Sequence, residues 1–263
     1  MMYVKAKKAL GQHFLKDESI ARRITDSLIL PPGTAPVPVL EIGPGTGVLT
    51  RYLLENPRIR LELAEIDPES IACLKGRFPQ LLYDLQPRDF LAMPLEHLFG
   101  DNFFVIGNFP YNISSQIFFK ILEAAGRIPQ VVCMLQKEVA ERLAAGPGTK
   151  AYGILSVLLQ TCYDIEYLFT VDEHVFLPPP KVKSAVIRLL KNHRPPPDCD
   201  PHLFRQVVKT TFNQRRKTIR NSVRPLLGGR PVPAGELFDC RPEQLSVERF
   251  AELTRLVSAL RAQ

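Results

Sequence analysis

The chain of 263 residues has no tryptophan and only five cysteines, and its acidic residues are missing from two long stretches. Each absence excludes something. Cys73, Cys133, Cys162, Cys199 and Cys240 are odd in number, scattered and never spaced C-x-x-C, which argues against a disulfide framework and against a zinc ribbon. A reducing cytoplasm is the expected setting. No apolar run is long enough to cross a bilayer, and the opening MMYVKAKKALGQHF lacks the apolar stretch of a signal peptide, so a soluble, unexported protein with no membrane partner is expected. His193, Cys199 and His202 lie close together, but no second cysteine pair completes a tetrahedral set, and no metal site is expected.

What is present is an ordinary globular composition, 45% hydrophobic and 23% charged, with a formal charge of +7. That charge is unevenly placed. Residues 1–190 carry 20 basic and 20 acidic side chains, whereas residues 191–263 carry 14 and 7. No acid occurs between Pro201 and Gly235, where eight basic residues stand, nor between Met1 and Lys16, where there are four lysines. Such clusters suit a polyanion, although a solvated helix face gives the same composition.

Strand and helix patterns alternate through the first part of the chain. A helix is expected over 17–30, ending at Pro31-Pro32-Gly33. A strand at 37–42 is followed by a glycine turn and a helix over 48–55, then a strand at 61–66 and a helix from Pro68 to Arg77. Further strands are read at 81–85, 103–107 and 130–135, with helices over 114–125, through Val139 and Leu143, and over 152–162. The alternation implies a mostly parallel sheet covered on both faces. The strands 165–171 and 182–190 are joined too tightly for a helical crossover, so the closing strand should be antiparallel. Asn192–Pro201 reads as a proline-rich linker, dividing a domain of residues 1–191 from a small, basic, all-helical domain of residues 192–263. Apolar stripes at Phe204, Val208, Phe212 and at Ile219, Val223, Leu226 predict two helices there, with Arg216, Arg220 and Arg224 stacked on one face of the second.

Three motifs carry chemistry. Glu41-Ile-Gly43-Pro-Gly45-Thr-Gly47 follows the first strand, where glycines let the backbone turn sharply beside a nucleotide-like ligand. Its third glycine falls one place early for a dinucleotide fingerprint, and the spacing resembles that of S-adenosylmethionine-dependent methyltransferases. Glu65 stands about twenty residues on, where a carboxylate can accept from ribose hydroxyls; Asp67 is its rival but, preceding Pro68, suits a helix cap. Asp89 is placed to accept from an adenine amino group, although such an aspartate more often bonds nearby backbone. The tetrapeptide Asn108-Phe109-Pro110-Tyr111 resembles the catalytic motif of enzymes that methylate exocyclic amines of nucleic-acid bases. The lone pair of adenine N6 is delocalised, so an amide oxygen and a rigid carbonyl that accept its N–H hydrogens favour attack by preorganised electrostatics rather than base catalysis. Tyr111 would stack on an extruded base.

These motifs and the blocks KALGQHFL, LQKEVAERL, YGILSV, FLPPPKVKS and FNQRRK occur in the order found in ribosomal RNA adenine N6-dimethyltransferases, and from Lys8 to Arg249 the chain is similar to the bacterial small-subunit members of that family. The resemblance implies a Rossmann-like α/β methyltransferase sheet with a small helical C-terminal domain and S-adenosyl-L-methionine as cofactor. It implies dimethylation of adjacent adenines near the 3′ end of 16S ribosomal RNA, in a pre-ribosomal particle, by a cytoplasmic and monomeric enzyme. It places Gln12, His13, Leu15, Gly43, Gly45, Glu65, Asp89 and Asn108 at the cofactor, and Asn108, Tyr111 and Phe176 at the target base, with Phe176 as the wall opposite Tyr111. Lys181, Arg215, Arg216, Lys217 and Arg220 become RNA contacts. Phe109 stands where the family commonly has Leu, and His13 where it commonly has Asn. A large-subunit methyltransferase and a non-catalytic nucleic-acid-binding factor on the same scaffold are the alternatives; the extended basic tail and GQHFL block speak against the first, and the intact Asn108 motif against the second.

Overall fold

The computed structural model describes residues 4–81, 85–95, 100 and 102–262. Two compact units are formed, one by Met1–Ala140 with Ile165–Lys191 and the other by Glu141–Asp164 with Asn192–Gln263. The stretch Glu141–Asp164 thus belongs with the C-terminal helices.

The first unit opens with a two-residue strand β1 (Phe14–Leu15) and helix α1 (Glu18–Thr25), capped by Asp17, whose carboxylate accepts from the amides of Ser19 and Ile20. The helix stops at Thr25 rather than running to Leu30. Thr25 and Ser27 turn their hydroxyls back onto the carbonyls of Arg22 and Arg23, and the amide and carbonyl of Ile29 are both taken by the Gln130 side chain. A long-range pairing therefore replaces the last helical turn.

Then come β2 (Val37–Ile42), α2 (Val48–Glu55), β3 (Ile59–Ala64) and α3 (Pro68–Arg77). Asp67 caps α3 ahead of Pro68, as its sequence context predicts. Of the strand expected over 81–85, residues 82–84 lie outside the described residues, while Leu81 closes a 3₁₀ turn. The chain continues through β4 (Phe104–Asn108), α4 (Ser114–Glu123), β5 (Gln130–Gln136) and α5 (Lys137–Ala144). After α6 (Ile154–Gln160) follow β6 (Tyr163–Val171), β7 (Phe176–Leu177) and β8 (Ser184–Lys191).

The strands of the main sheet run in the order β3-β2-β4-β5-β8-β6, with β3, β2, β4 and β5 parallel and β8 antiparallel to β5. The strand order reverses about β2, so the carboxyl ends of β2 and β4 form the topological switch point where ligands bind in open α/β sheets. Central strands are buried on both faces, hence their continuous apolar runs. Ala21 and Ile24 of α1 pack with Ile106, Val132, Met134 and Val186 beneath one face. The pair β1–β7 joins Phe14 to Leu177 and Leu15 to Phe176.

In the second unit, Asp200 accepts from the Leu203 amide and caps α7 (Pro201–Phe212). Helices α8 (Ile219–Ser222), α9 (Glu236–Asp239) and α10 (Val247–Ala262) follow. The core is aromatic: Tyr152 meets Phe212 edge-on at 6.2 Å, and Phe212 stacks on Phe250 at 5.8 Å. The second predicted helix is only four residues long, so Arg216, Arg220 and Arg224 do not share a helical face. Arg224 precedes Pro225, whose ring disfavours continued α-helix, and the chain tightens into a 3₁₀ turn over Arg224–Leu226. Among the described residues no helix is long and apolar enough to cross a membrane.

Candidate active site

The site is built where β2, β3 and β4 end together. Gly45, just past β2, adopts φ +56°, and its amide donates to Glu65 Oε2 at 3.0 Å. A Cβ there would stand 2.9 Å from the Phe14 ring, so the residue must be glycine for both backbone and space. Beneath the loop, the absent Cβ of Gly107 leaves β4 in direct contact with the Ile42 carbonyl of β2. The residues just ahead of Gly43 and Asn108 therefore meet main chain to main chain.

Glu65 is the first residue after β3 and is buried. Its Oε1 accepts from the amides of Ile66 and Asp67, both at 2.9 Å. Oε1 is thereby saturated, while Oε2, which accepts only from Gly45, still has a lone pair to offer. Burial nevertheless holds its pKa above the ordinary carboxylate value, against the lowering effect of the three amides. Behind it, Glu41 of β2 is fully buried, accepts from the Thr50 hydroxyl at 2.7 Å and is pushed up to about 8 by desolvation. Asp89 is exposed and bonds the Leu91 amide at 2.9 Å, capping a short turn, yet it also lines the cavity.

Asn108 ends β4. Its Nδ2 donates to the His13 carbonyl at 2.9 Å. A carbonyl only accepts, so this bond fixes the amide's orientation and directs Oδ1 the other way. That oxygen is buried and has no hydrogen-bond partner. Such an orphan acceptor costs stability unless something donates to it. Phe109 turns its side chain into the core against Phe118, at 5.7 Å, leaving the backbone to follow the site's edge. The Tyr111 ring lies 5.3 Å from that of His13, and its hydroxyl is held by Ser184 Oγ. Burial raises the Tyr111 pKa, keeping it a neutral phenol. His13 Nδ1 donates to the Pro178 carbonyl at 2.9 Å.

A cavity of about 270 Å³ collects Gln12, His13, Gly43, Gly45, Glu65 and Asp89 with Asn108 and Tyr111. Leu15 and Phe176, also expected there, do not line it. They pair across β1–β7, are 3% and 1% exposed, and pack in the core beneath. Alternation along β7 explains this, since turning Phe176 inward turns Leu177 out. Phe176 thus presents no face to a base in this arrangement. Gln12 lines the cavity but spends its amide on Asp67, at 2.9 Å.

Sequence reasoning missed Ile66, half exposed in the cavity wall, Asn112, whose Nδ2 donates to the Ala9 carbonyl, and Ser184. The signal for Ile66 was an apolar residue between two acids just past a strand. Among the predicted RNA contacts, Lys181, Arg216 and Lys217 are exposed and make no ion pair among the described residues. Arg215 is tied to the Thr149 carbonyl and faces Glu243, while Arg220 binds Asp239 and the Pro233 carbonyl.

A glycine loop, a buried acid and an amide converging on the switch point of this sheet define a Rossmann-like nucleotide-binding transferase. The chain matches the family model described as ribosomal RNA adenine dimethylase over residues 3–235. The ribosomal RNA small subunit methyltransferase A of Parabacteroides distasonis is 60% identical over 97% of this chain and 94% of its own length, and that of Cytophaga hutchinsonii 55% over 98% and 99%. The solved 23S rRNA methyltransferase ErmE superposes with a TM-score of 0.66 at 27% identity, covering 92% of this chain and 99% of its own. A dimethyladenosine transferase from Plasmodium falciparum gives 0.75 at 23% identity, covering 94% and 98%, and shares the fold. The chain belongs to the ribosomal RNA adenine dimethylase family.

Proposed function

We propose that the protein transfers methyl groups from S-adenosyl-L-methionine to N6 of adjacent adenines near the 3′ end of small-subunit ribosomal RNA. The observation that carries this reading is the buried, unpartnered Oδ1 of Asn108, held in place by the bond from Nδ2 to His13. An acceptor so placed calls for an N–H donor, and an exocyclic amine supplies one.

The residues present fit the cofactor. Glu65 Oε2 offers a lone pair to a ribose hydroxyl, Ile66 an apolar face and Asp89 an acceptor to adenine, while Gly43 and Gly45 leave room for the backbone to pass close. Gln12 and His13 wall the cavity as well, whereas Leu15 lies in the core beneath. When bound, the cofactor supplies an electrophilic methyl group on a sulfonium. Asn108 Oδ1 and the Phe109 carbonyl accept the two amine hydrogens, holding the nitrogen's lone pair out of conjugation with the ring. Pro110 stiffens the turn and Tyr111, fixed through Ser184, gives the base a stacking face. No side chain has to remove a proton before attack, which suits a site whose nearest acids sit in the cofactor wall.

The first unit serves as the catalytic part and the second, which takes in Glu141–Asp164 beside the expected 192–263, as the RNA-binding part; Arg216 and Lys217 of the second and Lys181 of the first are the contacts that meet phosphate, with Arg215 and Arg220 supporting them. Identities of 54–60% to relatives named as small-subunit enzymes, against 27% to ErmE, favour the small subunit. The protein acts as a monomer on a pre-ribosomal particle in the cytoplasm. The test is incubation with labelled S-adenosylmethionine and undermethylated small subunits, followed by mapping of the modified base. Label at N6 of adenine in the small-subunit RNA is expected, and its absence refutes the proposal.

A further inference from the structure

The segment that walls the cavity opposite Glu65 is anchored at a point where no chemistry occurs. Residues Ala9–Phe14 line the cavity, and two asparagines of the site hold them from within: Asn112 donates to the Ala9 carbonyl at 3.0 Å and Asn108 to that of His13 at 2.9 Å. The outer end is organised differently. The Lys7 amide donates to Gln12 Oε1 at 2.8 Å, closing the turn Lys8–Leu10 into a small loop. Both ends of that loop then meet one carboxylate. Lys7 Nζ lies 2.5 Å from Asp67 Oδ1, and Gln12 Nε2 lies 2.9 Å from Asp67 Oδ2. Lys7 is also 3.0 Å from Glu69.

Capping of α3 alone does not account for this. The Glu69 amide and Ser70 hydroxyl approach Asp67 only at 3.2 Å, so its two shortest contacts go to the arm. Asp67 has no exposure, and Ile66 alone separates it from Glu65. The turn that presents the acid and the apolar face to the cavity is thus the turn that fastens the arm across it. A ligand held between them leaves fastest when the arm lifts, and lifting the arm at this end means separating Lys7 from a desolvated carboxylate.

We infer that Lys7 and Asp67 form an ionic latch that holds the arm over the bound cofactor and sets the residence time of cofactor and product, with Lys7 as a positioning residue that touches neither. The inference rests on the reading that this cavity binds S-adenosylmethionine. Lys7 is about one-third exposed, so salt reaches the latch, whereas Asp67 stays in place as the cap.

The experiment follows the release of S-adenosylhomocysteine, whose amino and carboxylate charges cancel, from the full chain in stopped flow. Lys7→Met should release it about tenfold faster, the size of a lost charge-assisted bond to a buried partner. The cofactor KM rises with it while kcat does not fall. Lys7→Arg should restore wild-type release, and raising salt should speed release from the wild type but not from Lys7→Met. Lys7→Gln, read the same way, replaces Lys7→Met if thermal melting shows that the latter does not fold. Identical release from wild type and variant at every salt concentration overturns the latch, as does a loss of kcat with unchanged release. Failure of the wild type to bind S-adenosylhomocysteine at all overturns instead the cofactor assignment on which it rests.

Discussion

Replacing Glu41 by Gln exchanges an ionisable group for a neutral one of nearly the same shape in the middle of β2, beneath the glycine loop. The carboxyl is fully buried, accepts from the Thr50 hydroxyl at 2.7 Å, and is repelled by the nearby Glu65 carboxylate. Burial outweighs the hydroxyl, and the pKa rises from 4.5 to about 8. The folded protein therefore keeps a proton over an interval in which the unfolded chain has lost it. Stability is fullest below the unfolded value and falls as pH rises toward the folded one, by about 1.4 kcal/mol per pH unit. Between about pH 5.5 and 8 this amounts to about 3 kcal/mol. Glu41→Gln retains an acceptor for Thr50 and has nothing to ionise. Urea unfolding of both proteins across that range should give a stability difference that grows in favour of the variant and levels off above about pH 8. Parallel curves would refute the reasoning, because they would mean that Glu41 titrates alike in both states.

Asn108→Ala should abolish methyl transfer while RNA binding stays nearly intact, and an equal loss of both in filter-binding and transfer assays would make Asn108 a structural residue only. Arg216→Gln with Lys217→Gln should weaken RNA binding and reduce its slope against log salt by about 1.5, as expected for two lost phosphate contacts. Arg220→Gln should lower the melting temperature more than the salt slope, since that guanidinium is engaged with Asp239 and the Pro233 carbonyl. Phe176→Ala should cost about 3–5 kcal/mol of stability by leaving a core cavity; a variant of wild-type stability but low kcat would place the ring at the target base instead.

Much of the frame was legible because it is local. The bounds of α2 and α3, the glycine turn between β2 and α2, and the cap at Asp67 all follow from residues within one turn of each other. The cavity wall was legible through spacing, since β2, β3 and β4 each deliver their chemistry at a strand's end. What could not be read depends on distant partners. Gln130 ends α1 from about a hundred residues away, and nothing between Asp17 and Leu30 announces it. The β1–β7 pair is two residues long, too short for any periodicity to register, so the burial of Leu15 and Phe176 stayed hidden. Charge counts likewise did not separate Arg220, already paired with Asp239, from Arg216, which makes no ion pair among the described residues. The basic residues of the tail are not interchangeable, and only their neighbours distinguish them.

The contact between Gly107 and the Ile42 carbonyl bears on how such a site is able to change. With backbone pressed on backbone, the junction of β2 and β4 just ahead of Gly43 and Asn108 has no room for a side chain. Drift in which base is accepted, or in how many methyl groups it tolerates, is then written in the side chains around that junction, among them those of the arm, Ile66 and Tyr111. The spacing of the two strand ends is thereby fixed, and attempts to retarget the protein are best confined to those side chains.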